Sequence, residues 1–425
     1  MLSRRIHDVA LPLFYRNIKL DSQRSHEILL RVVDQDRDIA SLVRSLDLTE
    51  YEDPALPCIL PRALTRLPQL QSLHLQLGEL KSQDTEYVHK IFFGPNLDTL
   101  VIENTHWKTD PACLAEIIGG LESLDQTAVS NIRSLTCRIG SRSSHLPTSL
   151  GSQFVDTTIF SKVLPIFPGL RALDLSSTPV DPAPLLALDS RASLQYLRIS
   201  SCQDNDTSTL AHFISTHPAV RSSLVVLDAT GVRFGEQGTG AILQNLPSTL
   251  RSLNLSSSTM TANHVPRLQK LCQHLKELSV GHGLTMDNVE AAILSPYFNF
   301  DADVTCRSID EASSKEASEH ALILGPIRDA IAFCNIRRRL ASVSQHSLRT
   351  GTRRSHVRYL DLSSMDVEEQ GRITNSVLLG EHSIPLEVIA VSDINQQDYR
   401  VLGKLCGRLG WRDRWANEMI WVERK

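Results

Sequence analysis

Residue types that could carry metal, nucleophilic or phosphate chemistry are all present in this chain, at spacings that do not assemble it. Cysteines stand at 58, 113, 137, 202, 272, 306, 334 and 406; none forms a CxxC pair, and no Cys/His spacing matches a zinc site. Scattered single thiols suit a reducing compartment, each serving as a small apolar residue. Gly235, Gly238 and Gly240 in GEQGTGAIL have the look of a phosphate cradle at a helix N-terminus. Their spacing fits neither a Walker loop nor a dinucleotide fingerprint, and the segment lies where the chain needs a turn in any case. His264, His274 and His282 have no neighbour at ligand or nucleophile spacing. The expectation is a chain without catalytic, metal-binding or cofactor-binding residues, hence not an enzyme.

The polar residues that do recur regularly are of another kind. Asp47, His74, Asp174, Arg198, Asp228, Asn254 and Asp361 each follow the central apolar residue of a motif LxxLxL, and Tyr196, Glu277 and Tyr359 each precede one. The motif returns eleven times, centred on Leu46, Leu73, Leu100, Leu135, Leu173, Leu197, Leu227, Leu253, Leu278, Leu360 and Ile389. Alternation puts its last two apolar residues on one face of a strand and the residues around them on the other. Such a strand buries its leucines only when the next copy stacks beside it. A period of 24 to 30 residues, stretched to 35 and 38 around Leu135, matches the leucine-rich repeat, one strand plus a return helix or loop per unit. The expected fold is therefore α/β: a leucine-rich repeat solenoid curved like a horseshoe, with a parallel inner sheet and helices on the convex side. The ten polar and aromatic residues would line the concave face and are candidates for binding a protein partner. Asp47, Asp174, Asp228 and Asp361 suggest a mildly acidic groove suited to a basic segment. Tyr196 and Tyr359 suggest anchors, since aromatic residues dominate many interfaces.

Return helices are expected within 182–187, 209–215, 240–246 and 264–275, where apolar residues recur at three-to-four spacing. Strand exits such as LDLSST, LRISSC, LNLSSS and LDLSS end in small polar residues that can bond the departing backbone. The chain divides into 1–22; repeats over 23–285, opened by a capping helix at 25–43; a segment 286–356; repeats over 357–408; and a tryptophan-rich cap at 409–425. Within 286–356 either degenerate repeats or an insertion with a basic loop breaks the period. Degenerate repeats are favoured, because an interrupted stack exposes apolar edges. Arg337, Arg338 and Arg339, with Arg349, Arg353 and Arg354, form a basic concentration near Ser342 and Ser355. A solvated helix face and loop is preferred there to a nuclear signal, an anionic-partner site or a phosphorylated region. With a formal net charge of −4 and no stretch of membrane-spanning length, neither nucleic acid nor a membrane is an expected partner. An apolar content of 41% with 22% charged residues suits a folded chain of the cytoplasm or nucleus.

The first residues carry a second pattern. LSRRIHDVALPLFYRNIKL, followed by SHEILLRVVDQDRDIASLVRSLDLT, resembles the passage from the last F-box helix into the repeats of fungal F-box/leucine-rich repeat proteins. Ser3, Arg4, Arg5, Ile6, Ala10, Leu11, Pro12, Leu13, Tyr15 and Arg16 stand at matching places, and GWRDRWANEMIWVERK resembles the ending of those proteins. The resemblance implies a protein-interaction scaffold related to the substrate-recognition subunits of SCF-type ubiquitin ligases. Residues 1–22 would be a remnant of that helix, with Ile6, Val9, Ala10 and Leu13 as its apolar stripe. A Skp-type adaptor is an implied partner only if the leading F-box elements lie upstream of Met1. The lone helix is expected to dock on its own repeats through that stripe, and so to bind the adaptor weakly or not at all. The alternative is an F-box-less repeat scaffold, or a small-GTPase regulator, with no ubiquitin link.

Overall fold

The computed structural model describes residues 4–50, 66–76, 96–104, 131–139, 164–176, 182–199, 206–294, 355–380, 385–392, 396–416 and 418–425. The chain forms two compact units, one of Met1–Val232 with Asn245–Pro247, the other of Arg233–Gln244 with Ser248–Lys425. In the first unit, strands β1 (Asn17–Lys19), β2 (Ser45–Leu48), β3 (Ser72–Gln76), β4 (Thr99–Asn104), β5 (Ser134–Ile139), β6 (Ala172–Asp174), β7 (Tyr196–Arg198) and β8 (Val226–Asp228) pair in sequence order, all parallel. The register sets the centre of each LxxLxL beside the next, from Leu46 through Leu73, Leu100, Leu135, Leu173 and Leu197 to Leu227. Each of these leucines is fully or almost fully buried, which by area stabilises the stack by about 2 kcal/mol apiece. β1 adds a strand with Ile18 beside Leu46.

The second unit repeats the arrangement in β9 (Ser252–Asn254), β10 (Glu277–Ser279), β11 (Tyr359–Asp361) and β12 (Val388–Val391), aligning Leu253, Leu278, Leu360 and Ile389. A hairpin of β13 (Trp411–Ala416) and β14 (Met419–Arg424) follows, and β14 pairs with β12 in the antiparallel sense. All eleven motif centres thus lie in strands. Register has a second source at the strand entrances, where a single carbonyl accepts two successive N–H groups of the next repeat. Arg44 O takes Gln71 N and Ser72 N at 2.8 and 2.9 Å, and Lys276 O takes Arg358 N and Tyr359 N at 2.7 and 3.0 Å.

β10 pairs directly with β11 although Leu278 and Leu360 stand 82 residues apart. The intervening segment 295–354, on which the choice between degenerate repeats and an insertion falls, lies outside the described residues. The six arginines of the basic concentration lie outside the described residues. Ser355 lies at the edge of that region but is buried, its hydroxyl donating to Cys272 O at 3.3 Å, which does not suit a modification site.

Helices lie where the apolar spacing places them. α1 (Arg4–Arg16), α2 (Gln23–Gln35) and α3 (Arg37–Leu42) precede the repeats. The single helix expected over 25–43 is broken at Asp36, whose carboxylate caps α3 by accepting from Asp38 N and Ile39 N. The return at Ala183–Ala187 is a 3-10 helix, with prolines at 182 and 184 removing two amide donors. Beyond it come α4 (Thr207–Thr216), α5 (Pro218–Arg221), α6 (Glu236–Asn245), α7 (Val265–Cys272), α8 (Met286–Leu294), α9 (Val367–Gly371) and α10 (Gln396–Leu409).

Candidate functional site

One face of each strand ladder is the leucine core; the other, open face carries the candidate residues. In the first unit the register puts Asp47, His74, Val101, Thr136, Asp174, Arg198 and Asp228 in a single row across seven strands, with Tyr196 in the row before. In the second unit Asn254, Ser279 and Asp361 share a row, and Glu277 and Tyr359 share its neighbour. The ten candidates are therefore gathered by strand pairing, six in one unit and four in the other.

Their Asp and Asn side-chain oxygens have structural work. Asp47, Asp174, Asp228, Asn254 and Asp361 each accept, through Oδ1, the backbone N–H two residues on, from Thr49, Ser176, Thr230, Ser256 and Ser363 at 2.9–3.1 Å. The turn leaving each of these strands is thus an Asx turn, and the bond runs opposite to expectation: the Asp or Asn side chain receives it, and Ser or Thr supplies the backbone donor.

In the first unit two of the four aspartates of the expected acidic groove are paired with arginines. Arg138 Nη2 lies 2.9 Å from Asp174 Oδ2, Arg138 Nη1 lies 3.4 Å from Glu103 Oε1, and Arg198 Nε lies 2.7 Å from Asp228 Oδ2. The result is a ladder of alternating charge across β4 to β8 rather than a field of one sign. Burial pushes the Asp174 carboxyl upward, but the Ser176 hydroxyl and N–H together with Arg138 outweigh it and hold its pKa below the ordinary value. His74 is engaged locally, its Nε2 3.1 Å from Ser72 Oγ.

The tyrosines differ. Burial raises the pKa of Tyr196, and it pushes Tyr359 up to about 12, helped there by Asp361 and Glu277, so both remain protonated donors at neutral pH. Tyr359 lies against Trp421, ring centroids 6.0 Å apart at 38°, on the open face of the second unit. Trp421 belongs to β14, opposite Ala390 of β12 and Arg414 of β13. The same face presents Arg412 and Arg414, 2.6 and 3.6 Å from the single carboxylate of Glu423. Sequence reasoning missed Glu103, Arg138, Trp421, Arg412 and Arg414. For Arg138 the continued alternation through LTCRI was a signal; for the hairpin residues LxxLxL offers none, because the pairing reverses direction.

The three C-terminal tryptophans have separate roles. Trp411 is fully buried, donates through Nε1 to Leu379 O at 2.6 Å and carries the Arg424 guanidinium 4.8 Å from its ring centroid. Trp421 supports the open face, while Trp415 is 60% exposed. The expected cap is a hairpin that extends the sheet, so β13 becomes the new edge.

The remaining chemical groups are occupied. His264 Nδ1 accepts Thr261 N at 2.9 Å in a capping box, and its Nε2 lies 3.1 Å from Glu236 O. His282 Nε2 meets Thr259 Oγ1 at 3.1 Å. In GEQGTGAIL, Gly235 precedes α6, and a Cβ at Gly240 would lie 3.3 Å from His264 Nε2, which is helix packing. Cys137, Cys272 and Cys406 are buried thiols whose pKa burial pushes up to about 12, leaving them protonated. Among the described residues no three His, Cys, Asp or Glu side chains meet in a group able to hold a metal. No helix among them is long and apolar enough to cross a membrane.

The predicted docking of the N-terminal helix is corrected. Val9 and Leu13 of α1 are 68% and 70% exposed, and Phe14 beside them 79%; Ala10 is half-buried, and the Ile6 side chain lies outside the described residues. Pro12 stands inside α1 between the exposed Val9 and Leu13.

No family model matches this chain, and no curated protein matches it. Among solved structures it is similar to a chain of the yeast Rad7–Elc1 complex, with a TM-score of 0.39 and 17% sequence identity, over 67% of this chain and 75% of that one.

Proposed function

We propose that this chain is a non-enzymatic scaffold that binds a protein partner through the open face of its strands. We further assign it the role of a substrate-recognition subunit of an SCF-type ubiquitin ligase. The observation that carries the binding reading is the Tyr359–Trp421 pair with Arg412 and Arg414 beside it on one open face. Tyr, Trp and Arg are the residue types that dominate interface energies, and no return helix in the described second unit covers them. The polar and aromatic row of the first unit, neutralised within itself, supplies complementarity rather than net attraction.

The ubiquitin-ligase part rests on α1. Three large apolar side chains turned to solvent on one helix suit a contact surface, and the resemblance of this segment to an F-box helix supports a Skp-type adaptor as its partner if the leading F-box elements lie upstream. No residue described here favours regulation of a GTPase.

Affinity capture with the full chain in its host tests both parts. Tyr359→Ala with Trp421→Ala should reduce recovery of open-face partners about tenfold or more while adaptor recovery stays constant. Val9→Glu with Leu13→Glu should do the reverse, and its exposed positions leave the fold intact. Unchanged partners in the first variant would end the open-face reading; absence of the adaptor from wild-type captures would end the ligase reading.

A further inference from the structure

The last strand of the second unit offers a backbone edge as well as a face. Among the described residues β13 is paired on one side only, with β14, at the end of the strand order. Lys425 N donates to Gly410 O at 2.8 Å, which fixes the alternation of the antiparallel ladder. Arg412 and Arg414 therefore turn their N–H and C=O groups toward β14, and Asp413 and Trp415 turn theirs outward. Among the described residues none accepts from or donates to those outward groups of Asp413 and Trp415.

The side chains along this edge select an occupant. On the open face Arg412 and Arg414, 65% and 61% exposed, share the one carboxylate of Glu423 and leave a positive excess. On the opposite face Trp415 stands 60% exposed, held edge-on by Tyr399 at 6.5 Å, while Tyr399 donates to Asp413 Oδ2 at 3.0 Å. α10, packed over β13, carries Arg400, Lys404 and Arg408 at four-residue spacing on the side away from buried Leu402, Leu405 and Cys406. Residues 396–425 hold seven Lys or Arg against four Asp or Glu, in a chain whose net charge is −4.

A second copy of the same edge is a poor occupant in the registers that overlap most of β13. In a two-fold antiparallel pairing opposed residues share a face, so a register centred on Arg412, Asp413 or Arg414 brings arginine against arginine. We infer that the β13 edge takes an extended acidic segment of a partner protein as an added strand. Carboxylates at alternate positions of that segment lie opposite Arg412 and Arg414, and an apolar side chain lies against Trp415. Main-chain bonds to Asp413 and Trp415 supply affinity, and the arginines supply the preference for acid. This edge adjoins the Tyr359–Trp421 face and shares Arg412 and Arg414 with it, but takes its main-chain bonds from groups that face does not use.

The probes are two capped synthetic peptides, one alternating Glu and Val and the other Lys and Val, added to the full chain. Amide exchange at Asp413 and Trp415 should slow about tenfold or more with the Glu–Val peptide, less at high salt, and not with the Lys–Val peptide. Arg412 and Arg414 amides, already bonded to β14, should change little. Trp415→Pro, which removes an outward N–H at an edge position that tolerates proline, should abolish the effect. Tyr359→Ala with Trp421→Ala should leave it, which separates this inference from the proposed open-face site. Should Trp415→Pro fail to fold, the charge swap Arg412→Glu, Arg414→Glu and Glu423→Arg keeps the internal pairs and should transfer protection to the Lys–Val peptide. Equal protection by both peptides, none by either, or no transfer in the swapped chain overturns the inference.

Discussion

Replacing Glu290 should loosen the turn on which the C-terminal hairpin rests. Glu290 lies in α8, fully buried, and its Oε1 accepts from Ser376 Oγ at 2.7 Å and from Val377 N at 2.9 Å. Ser376 and Val377 are themselves fully buried, so no water replaces a lost acceptor. In Glu290→Ala the Val377 N–H is left without a partner, at about 1–3 kcal/mol. The Ser376 hydroxyl still accepts from Leu378 N at 3.2 Å but loses the acceptor for its own proton. The missing side-chain carbons add about 1 kcal/mol, and release of a buried carboxylate from its desolvation offsets part of the total. The net loss should be about 2–4 kcal/mol, and smaller for Glu290→Gln, whose one oxygen can still accept from both Ser376 Oγ and Val377 N. The readout is local: Trp411 Nε1 bonds to Leu379 O, two residues beyond Val377, so the Trp411 indole N–H resonance during urea unfolding follows this turn. Exchange of the Val377 amide should quicken in parallel. A Glu290→Ala chain as stable as wild type, or a Glu290→Met chain more stable than it, would show that desolvation of the carboxylate outweighs its bonds and refute the reasoning.

Three further outcomes are expected. Gly281→Ala should destabilise the second unit severely in thermal melts, since a Cβ there would lie 2.0 Å from Ser258 O and 2.9 Å from Leu255 O, both backbone atoms that cannot swing aside. Leu253→Ala, at a position 1% exposed beside Leu278 in the ladder, should cost about 2–5 kcal/mol in urea unfolding. Asp206 caps α4, and bonds from the Ser208 and Thr209 hydroxyls and N–H groups lower its pKa from 3.8 to about 2. A depressed carboxylate stabilises above its unfolded pKa, so the stability gap between wild type and Asp206→Ala should be constant above about pH 4 and close as the pH falls toward 2.

Much of the open face was legible because alternation is a local property. Each LxxLxL names its own buried and exposed positions, and parallel pairing of like motifs then brings Asp47 beside His74 and Asp174 beside Arg198. What those residues do there was not legible. Asp174 is paired by Arg138 from another repeat, 36 residues earlier, and both aspartate roles depend on which atoms the register and the turn bring within bonding distance. His264 and His282 read as unpartnered in the chain and are bonded to Thr261, Glu236 and Thr259 in the fold. Val9 and Leu13 followed the helical period correctly, yet that period says which side is apolar and not whether anything covers it.

The sequence by itself determined the strand centres, the leucine core and the order in which parallel strands would stack, since a period-two pattern returning every 24 to 30 residues has one way to bury its apolar face. Tertiary structure alone decided that β10 meets β11 across the 79 residues between them, that β14 turns against the parallel direction, and that Trp411 is buried while Trp415 is exposed. Each of these is a choice of neighbour between distant segments, made by hydrogen-bond register and the space left around a side chain, and no local pattern encodes either.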